Sequence, residues 1–144
     1  MTDILKNKNI LLGVSGGIAA YKSVELLRLL TKQGASVRVV MTRNAEHFVG
    51  WMTFQALSGH PVCTSLFDKG EEASFKHIDW SSEADAVVIA PATADIIGKL
   101  ANGIADDALS TMMTVVTAPV LLCPSMNTNM YQNRAVQRNI DLLR

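Results

Sequence analysis

A glycine-rich segment is the first feature of the sequence that could do chemistry. It reads Gly13-Val14-Ser15-Gly16-Gly17-Ile18-Ala19 and lies between an apolar run and a segment with helical spacing. Small residues let the backbone approach a ligand closely, and the amino terminus of a helix presents N–H groups and a positive partial charge. The position of this turn therefore favours phosphate binding over a turn that merely starts a helix.

Two familiar nucleotide-binding patterns do not fit this turn. The dinucleotide pattern G-x-G-x-x-G has Ser15 at its second glycine, and Thr42-Arg43 stands where the ribose-binding acid is expected. The ATP-binding pattern G-x-x-x-x-G-K-[ST] has Tyr21 in place of its second glycine. Both NAD and an ATP-type phosphate loop are therefore disfavoured.

Other residue types suited to chemistry occur later in the chain. Segments 91–95 and 124–131 follow predicted strands, and the second carries amide side chains that can bind a carboxylate or the polar edge of a ring. Ordinary turns remain an alternative for both segments. His47, His60 and His77 each carry an imidazole that can transfer protons near neutral pH. Spacing alone does not choose among the three.

The composition limits the kind of protein that carries these residues. The chain has 144 residues with 49% hydrophobic and 18% charged, which is typical of one globular domain. Thirteen basic and thirteen acidic residues give a net charge of zero, and without a basic block nucleic acid is not an expected partner. No apolar run reaches the roughly 18 residues of a membrane span, and the amino terminus does not resemble a signal peptide. We therefore expect a cytoplasmic protein without a membrane partner. We also expect no metal site, and Cys63 and Cys123 as buried, reduced thiols.

Alternating apolar patterns predict the elements that position these residues. Strand-length apolar runs occur at 10–14, 37–41, 86–90 and 119–123. Helical spacing occurs at 18–30, at 45–58 with a break at Gly50, at 94–115 with an interruption near 102–103, and at 133–143. Strands apolar on both faces and alternating with helices predict an α/β fold, a Rossmann-like doubly wound parallel sheet in a single domain. In that fold the ligand lies beyond the carboxyl ends of the strands.

Five motifs, in one order along the chain, resemble those of the FMN-containing cysteine decarboxylase flavoproteins. The motifs are the segment 13–22, the His77-Ile78 pair, and the segments 91–95, 103–111 and 124–131. The resemblance extends over residues 8–143 and is strongest to the branch that acts on 4′-phosphopantothenoylcysteine. It implies one flavoprotein domain, residues 1–144, that assembles as a homo-oligomer, a trimer or a dodecamer, with active sites at subunit interfaces. It also implies that the family's flexible carboxy-terminal flap, with its cysteine, is not part of this sequence.

The same resemblance implies an activity and a set of site residues. The activity is decarboxylation of 4′-phosphopantothenoylcysteine to 4′-phosphopantetheine in coenzyme A biosynthesis, after FMN has oxidised the thiol side to a thioaldehyde that can accept electrons. The residues implied to bind the flavin phosphate are Ser15, Gly16, Gly17 and Thr42, with Phe48 beside them. Those implied to line the ring and the ribityl chain are Ala92, Thr93, Ser110 and Met126. The implied catalytic residues are His77 and Asn127, and the implied substrate-binding residues are Asn127 and Met130.

Two other functions remain open at this point. Related flavoproteins decarboxylate the carboxy-terminal cysteine of a peptide, and others are non-catalytic flavin-binding regulatory subunits. The presence of both His77 and Asn127 favours an enzyme. Flavin prenyltransferases share the fold but give no reason for this pair of residues.

Overall fold

A parallel four-stranded sheet forms the centre of the protein. The computed structural model describes residues 3–67 and 71–144, and of residues 71–76 the backbone only. The strands are β1 (Asn9–Val14), β2 (Ser36–Met41), β3 (Ala86–Ala92) and β4 (Val120–Pro124). Their order in the sheet is β2-β1-β3-β4, and every neighbouring pair is parallel. The predicted doubly wound α/β fold is confirmed.

Helices connect the strands. They are α1 (Ala20–Lys32), α2 (Trp51–Ser58), α3 (Glu71–Glu83), α4 (Ala94–Ala101), α5 (Ala108–Met113), α6 (Thr128–Gln132) and α7 (Arg134–Leu143), with a 3₁₀ turn at Ala45–His47. Gly34, with φ of 91°, follows α1 and ends it as the sequence predicts. In the described part of the chain, none of these helices is both long and apolar enough to span a bilayer.

The sheet separates two apolar cores. Leu12 points to one face, where it is fully buried with Leu27 of α1 and Phe54 of α2. Leu11, its neighbour in β1, points to the other face and is buried with Ile97 of α4. Because successive side chains of a strand alternate between faces, a sheet covered on both sides requires the continuous apolar runs seen in the sequence.

Strand β4 differs from the expectation that both faces of each strand are covered. Its side chains Val120 and Leu121 are 43% and 60% exposed. The reason is its position, because β4 lies at the edge of the sheet and pairs with β3 alone among the described strands. Cys123 is accordingly half-buried, which corrects the expectation for that thiol, whereas Cys63 is buried as expected.

Two helices were not predicted. Helix α3 carries His77, and its apolar residues do not fall on one clean stripe. Helix α6 occupies a segment interpreted as a loop, and its five residues are too few for a periodic signal. The Asn127 side chain starts α6 by accepting a hydrogen bond of 2.8 Å from the backbone N–H of Asn129.

Candidate active site

A cavity of about 700 Å³ opens at the carboxyl end of the sheet. Its lining comes from the segments that follow all four strands, at residues 15–18, 42–44, 93–95 and 125–127. Strand β1 lies between β2 and β3, so the chain reverses its winding direction at this point. Ligands of doubly wound sheets bind at this kind of switch point, and the volume lies within the usual range for small-molecule sites.

The glycine turn after β1 is shaped by close contact with the turn after β2. A Cβ atom added to Gly16 would lie 2.4 Å from the Cβ of Asn44, so only glycine fits there without a shift of the backbone. A Cβ added to Gly17 would lie 3.6 Å from Thr93, which is an ordinary contact. Residue Ala19, at the N-cap of α1, has a methyl side chain that cannot accept a hydrogen bond. The N–H groups of Ala20 and Lys22 donate to the carbonyl oxygens of Gly17 and Ala19. Among the described residues, the N–H groups left for an anion are therefore those of the turn before α1, at Gly16, Ile18 and Ala19.

The Ser15 side chain is buried and bonded within the protein. Its hydroxyl donates a hydrogen bond to the carbonyl oxygen of Pro91 and accepts one of 3.1 Å from the backbone N–H of Thr93. The sequence implied that Ser15 binds the flavin phosphate. Because the hydroxyl proton is engaged by Pro91, the donors that the segment leaves for an anion are backbone N–H groups.

Two threonines in the lining use their oxygens as caps. Thr93 Oγ1 accepts a hydrogen bond of 3.3 Å from the N–H of Ile96 at the start of α4. Thr42 Oγ1 accepts one of 3.2 Å from the N–H of Ala45. Each hydroxyl keeps its own proton as a donor, so both threonines can bind an acceptor atom of a ligand while they stabilise their turns.

The segment after β4 brings an amide and two thioethers to the cavity. Asn127, Met126 and Met130 all line it. The carbonyl oxygen of the Asn127 side chain is engaged in capping α6. Its NH₂ group is therefore the part of the side chain that is suited to bind a carboxylate.

A lysine and two aspartates, Asp95 and Asp107, line one wall of the site, and a third aspartate, Asp106, lies beside the lysine outside the lining. The Lys99 ammonium lies 3.2 Å from the Asp95 carboxylate, 3.1 Å from Asp106 and 3.5 Å from Asp107. Burial lowers the pKa of Lys99, but hydrogen bonds to two of these carboxylates and the charge of the third outweigh it and raise the pKa to about 12. The lysine is therefore protonated at neutral pH.

Eight residues of the lining are not among the site residues that the sequence analysis named: Ile18, Arg43, Asn44, Ala94, Asp95, Lys99, Asp107 and Ser125. For three of these residues, a signal exists in the sequence. Asp95 and Lys99 have the i,i+4 spacing of a helical ion pair, and Asp107 precedes Ser110 by the three positions of a capping box.

Four of the implied site residues do not line this cavity, whereas Ser15, Gly16, Gly17, Thr42, Thr93, Met126, Asn127 and Met130 do. Ala92 is fully buried beneath it, and Ser110 is buried with its hydroxyl donating a 2.7 Å hydrogen bond to Asp107. Ser110 thus holds the carboxylate of Asp107, which lines the cavity, in position. Phe48 follows the 3₁₀ turn with its side chain 48% exposed, outside the lining.

His77 also lies away from the cavity of its own chain. It is on α3, where it is buried, and its ring contacts Trp80 with 4.4 Å between ring centroids. Helix α3 packs on one face of the sheet, and His77 is not among the described residues that line the cavity beside the glycine turn.

A parallel sheet with a glycine turn before its first helix and a cavity at the switch point is the arrangement of the Rossmann-like class of nucleotide-binding proteins. The Flavoprotein family model matches residues 2–144. The chain therefore belongs to the flavoprotein family, and the family expected from the sequence is confirmed.

Relatives within bacteria are longer proteins. The chain is 51% identical over 140 residues to the coenzyme A biosynthesis bifunctional protein CoaBC of Bacillus subtilis, covering 97% of this chain and 34% of the relative. It is 49% identical over 139 residues to CoaBC of Escherichia coli, covering 96% of this chain and 34% of the relative. The chain thus spans about a third of the length of these curated relatives.

Solved structures share the fold. The FMN-dependent cysteine decarboxylase SpaF superimposes with a TM-score of 0.87 and 36% identity, over 95% of this chain and 79% of that one. A PPC decarboxylase mutant complexed with pantothenoylaminoethenethiol superimposes with a TM-score of 0.80 and 28% identity, over 96% of this chain and 78% of that one.

Proposed function

We propose that this chain is an FMN-dependent decarboxylase that converts 4′-phosphopantothenoylcysteine to 4′-phosphopantetheine in coenzyme A biosynthesis. The observation that carries the proposal is that the glycine turn at Gly16 and Gly17 and the side chain of Asn127 line the same cavity. The similarity to bifunctional coenzyme A biosynthesis proteins and to a PPC decarboxylase supports the substrate. Residues 1–144 then form one flavoprotein domain.

FMN fits this cavity because its phosphate requires backbone N–H donors and its ring requires an apolar wall. The glycine turn and the Thr42 hydroxyl would hold the phosphate, and Thr93 and Met126 would contact the rest of the cofactor. Bound FMN would supply a two-electron oxidation before the loss of CO₂, because a cysteine carboxylate has no electron sink of its own, and would return the same two electrons afterwards, so that the product is again a thiol.

Asn127 would bind and orient the substrate carboxylate. A neutral amide holds the carboxylate without the strong ground-state stabilisation that a full positive charge would give, and loss of CO₂ removes that negative charge. The thioether of Met130, 48% exposed at the rim, would cover the substrate and exclude water.

His77 would donate or accept the proton that the reaction transfers, at an active site formed between subunits. Since it lies outside the cavity of its own chain, this role requires that α3 of one subunit approaches the cavity of another. We therefore propose a homo-oligomer, a trimer or a dodecamer, with sites at its subunit interfaces. We also propose a cytoplasmic location, in keeping with relatives named for coenzyme A biosynthesis.

The test is to incubate the purified, flavin-loaded protein with 4′-phosphopantothenoylcysteine and to measure CO₂ and the thiol product. We expect both to form, and His77→Asn to abolish them. Sedimentation of the wild type should give a mass of three or twelve chains. A protein that binds FMN but releases no CO₂ from this substrate would contradict the proposed reaction.

A second candidate is decarboxylation of a peptide's carboxy-terminal cysteine. It is favoured by the superposition on SpaF and on TvaF, an FMN-dependent cysteine decarboxylase from thioviridamide biosynthesis, with TM-scores of 0.87 and 0.88. Competition between the phosphopantothenoyl substrate and a peptide ending in cysteine distinguishes the two functions. Preferential release of CO₂ from the peptide would favour the second.

A further inference from the structure

The charges that line the described cavity balance each other. Arg43 and Lys99 are positive, and Asp95 and Asp107 are negative. Asp106 adds another negative charge beside Lys99, 3.1 Å from its ammonium. Among the described residues, Lys99 is therefore the positive charge that partly offsets the acidic wall.

Lys99 is held between these carboxylates. Its side chain is 19% exposed, whereas those of Asp95 and Asp106 are 67% and 59% exposed. It lies in α4 and reaches both the first turn of its own helix and the segment that precedes α5. One ammonium thus partly offsets the charge of carboxylates from two segments of the chain.

A ligand that carries a phosphate brings further negative charge into this cavity. A phosphate monoester has a charge of about −1.5 to −2 near pH 7. Without Lys99 the lining would carry a net negative charge, and its Coulomb repulsion of the phosphate would be weakened but not removed by solvent and salt.

We propose that Lys99 is a specificity-determining residue, whose charge allows this cavity to accept a phosphorylated flavin in preference to its uncharged counterpart. The inference rests on the proposed function, because it takes FMN as the ligand. The effect acts through the net charge of the wall and requires no direct contact between Lys99 and the phosphate.

Flavin binding would change differently if Lys99 only held the wall of the cavity together. Lys99 also ties α4 to the loop before α5, so its removal could loosen the wall and weaken any flavin. FMN and riboflavin separate the two roles, because they share the ring and the ribityl chain and differ in the phosphate. A structural role weakens both flavins alike, whereas a charge role weakens FMN selectively.

The experiment is a fluorescence titration of the flavin-free full chain with FMN and with riboflavin. For Lys99→Met we expect FMN affinity to fall about tenfold and riboflavin affinity to change less than about twofold, with a smaller difference at high salt. Adding Asp95→Asn to Lys99→Met should restore much of the FMN affinity. The control is Lys8→Met, which removes a lysine paired with Asp85 at the opposite end of β1 and should leave both affinities unchanged.

Two further variants keep the test decisive if Lys99→Met does not fold. Asp95→Asn changes an exposed residue and should raise the ratio of FMN to riboflavin affinity, and Lys99→Arg should keep the wild-type ratio. Equal weakening of both flavins in Lys99→Met, or an unchanged ratio in Asp95→Asn, would overturn this inference alone. A wild-type chain that binds neither flavin would overturn the proposed function together with it.

Discussion

The Ser15 hydroxyl donates a hydrogen bond of 2.5 Å to the carbonyl oxygen of Pro91. This bond joins the ends of β1 and β3, from which two cavity-lining turns emerge. The two residues are 76 positions apart in the chain. Their contact fixes the distance between the glycine turn and the Thr93 turn, so Ser15, which itself lines the cavity, also positions two of its lining turns.

Replacing Ser15 with alanine should destabilise the protein. The substitution removes both hydrogen bonds of a side chain that is 1% exposed, and leaving buried polar groups without these partners costs about 1–3 kcal/mol. Chemical denaturation measures the loss. The matched control is Ser82→Ala, since Ser82 is exposed and bonds only to the Asp79 carbonyl among the described groups, and it should change stability by less than about 0.5 kcal/mol. Equal losses in both variants would contradict this role of Ser15.

Gly16→Ala should disrupt the anion-binding turn. The new methyl group would overlap the Asn44 side chain and backbone, at 2.4 and 2.8 Å, so the turn must move. Overpacking of this kind costs about 1–3 kcal/mol, and we expect FMN affinity to fall more than about tenfold. Thermal unfolding and flavin titration measure the two effects. Gly50→Ala is the control, because its methyl group would meet no atom within 4 Å, and wild-type behaviour of Gly16→Ala would show that the turn tolerates a side chain.

Asn127→Asp should remove activity without unfolding the protein. An aspartate can still cap α6, because it keeps an oxygen that accepts the Asn129 N–H. Its charge, however, repels the substrate carboxylate, and we expect kcat/KM to fall at least about a hundredfold. Asn133→Asp makes the same change at the cap of α7, outside the cavity lining, and should keep full activity. Comparable activity of the two variants would contradict the role given to Asn127.

The stability of the protein should decrease at high pH because of Lys99. Its pKa in the folded protein is about 12, above its usual value of 10.5, so the folded state binds this proton more tightly. The stabilisation is therefore complete below about pH 10.5 and is lost as the pH rises through about 12. Lys99→Arg keeps its charge in this range, so its free energy of unfolding should decline less steeply than that of the wild type. Parallel curves for the two proteins would show that Lys99 does not contribute.

Much of the fold could be predicted from local patterns. The apolar runs identified all four strands, and the spacing around Gly34 and Asn133 marked where α1 ends and α7 begins. These signals are local. The burial of a residue follows from the spacing of the apolar residues around it, and a helix cap is recognised from the residues next to it. Helices α3 and α6 escaped prediction because one lacks a clean apolar stripe and the other is too short to show a period.

The sequence by itself determined that small and amide residues follow the strands, and therefore that a ligand site lies at the carboxyl end of the sheet. Only the tertiary structure decided which of them meet. Strand order places the Gly16 turn beside Asn44, helix packing brings Lys99 to Asp107, and the position of α3 leaves His77 outside the cavity of its own chain. The physical reason is that contacts between distant segments depend on how all the apolar faces are buried together, which the spacing within any one segment does not record.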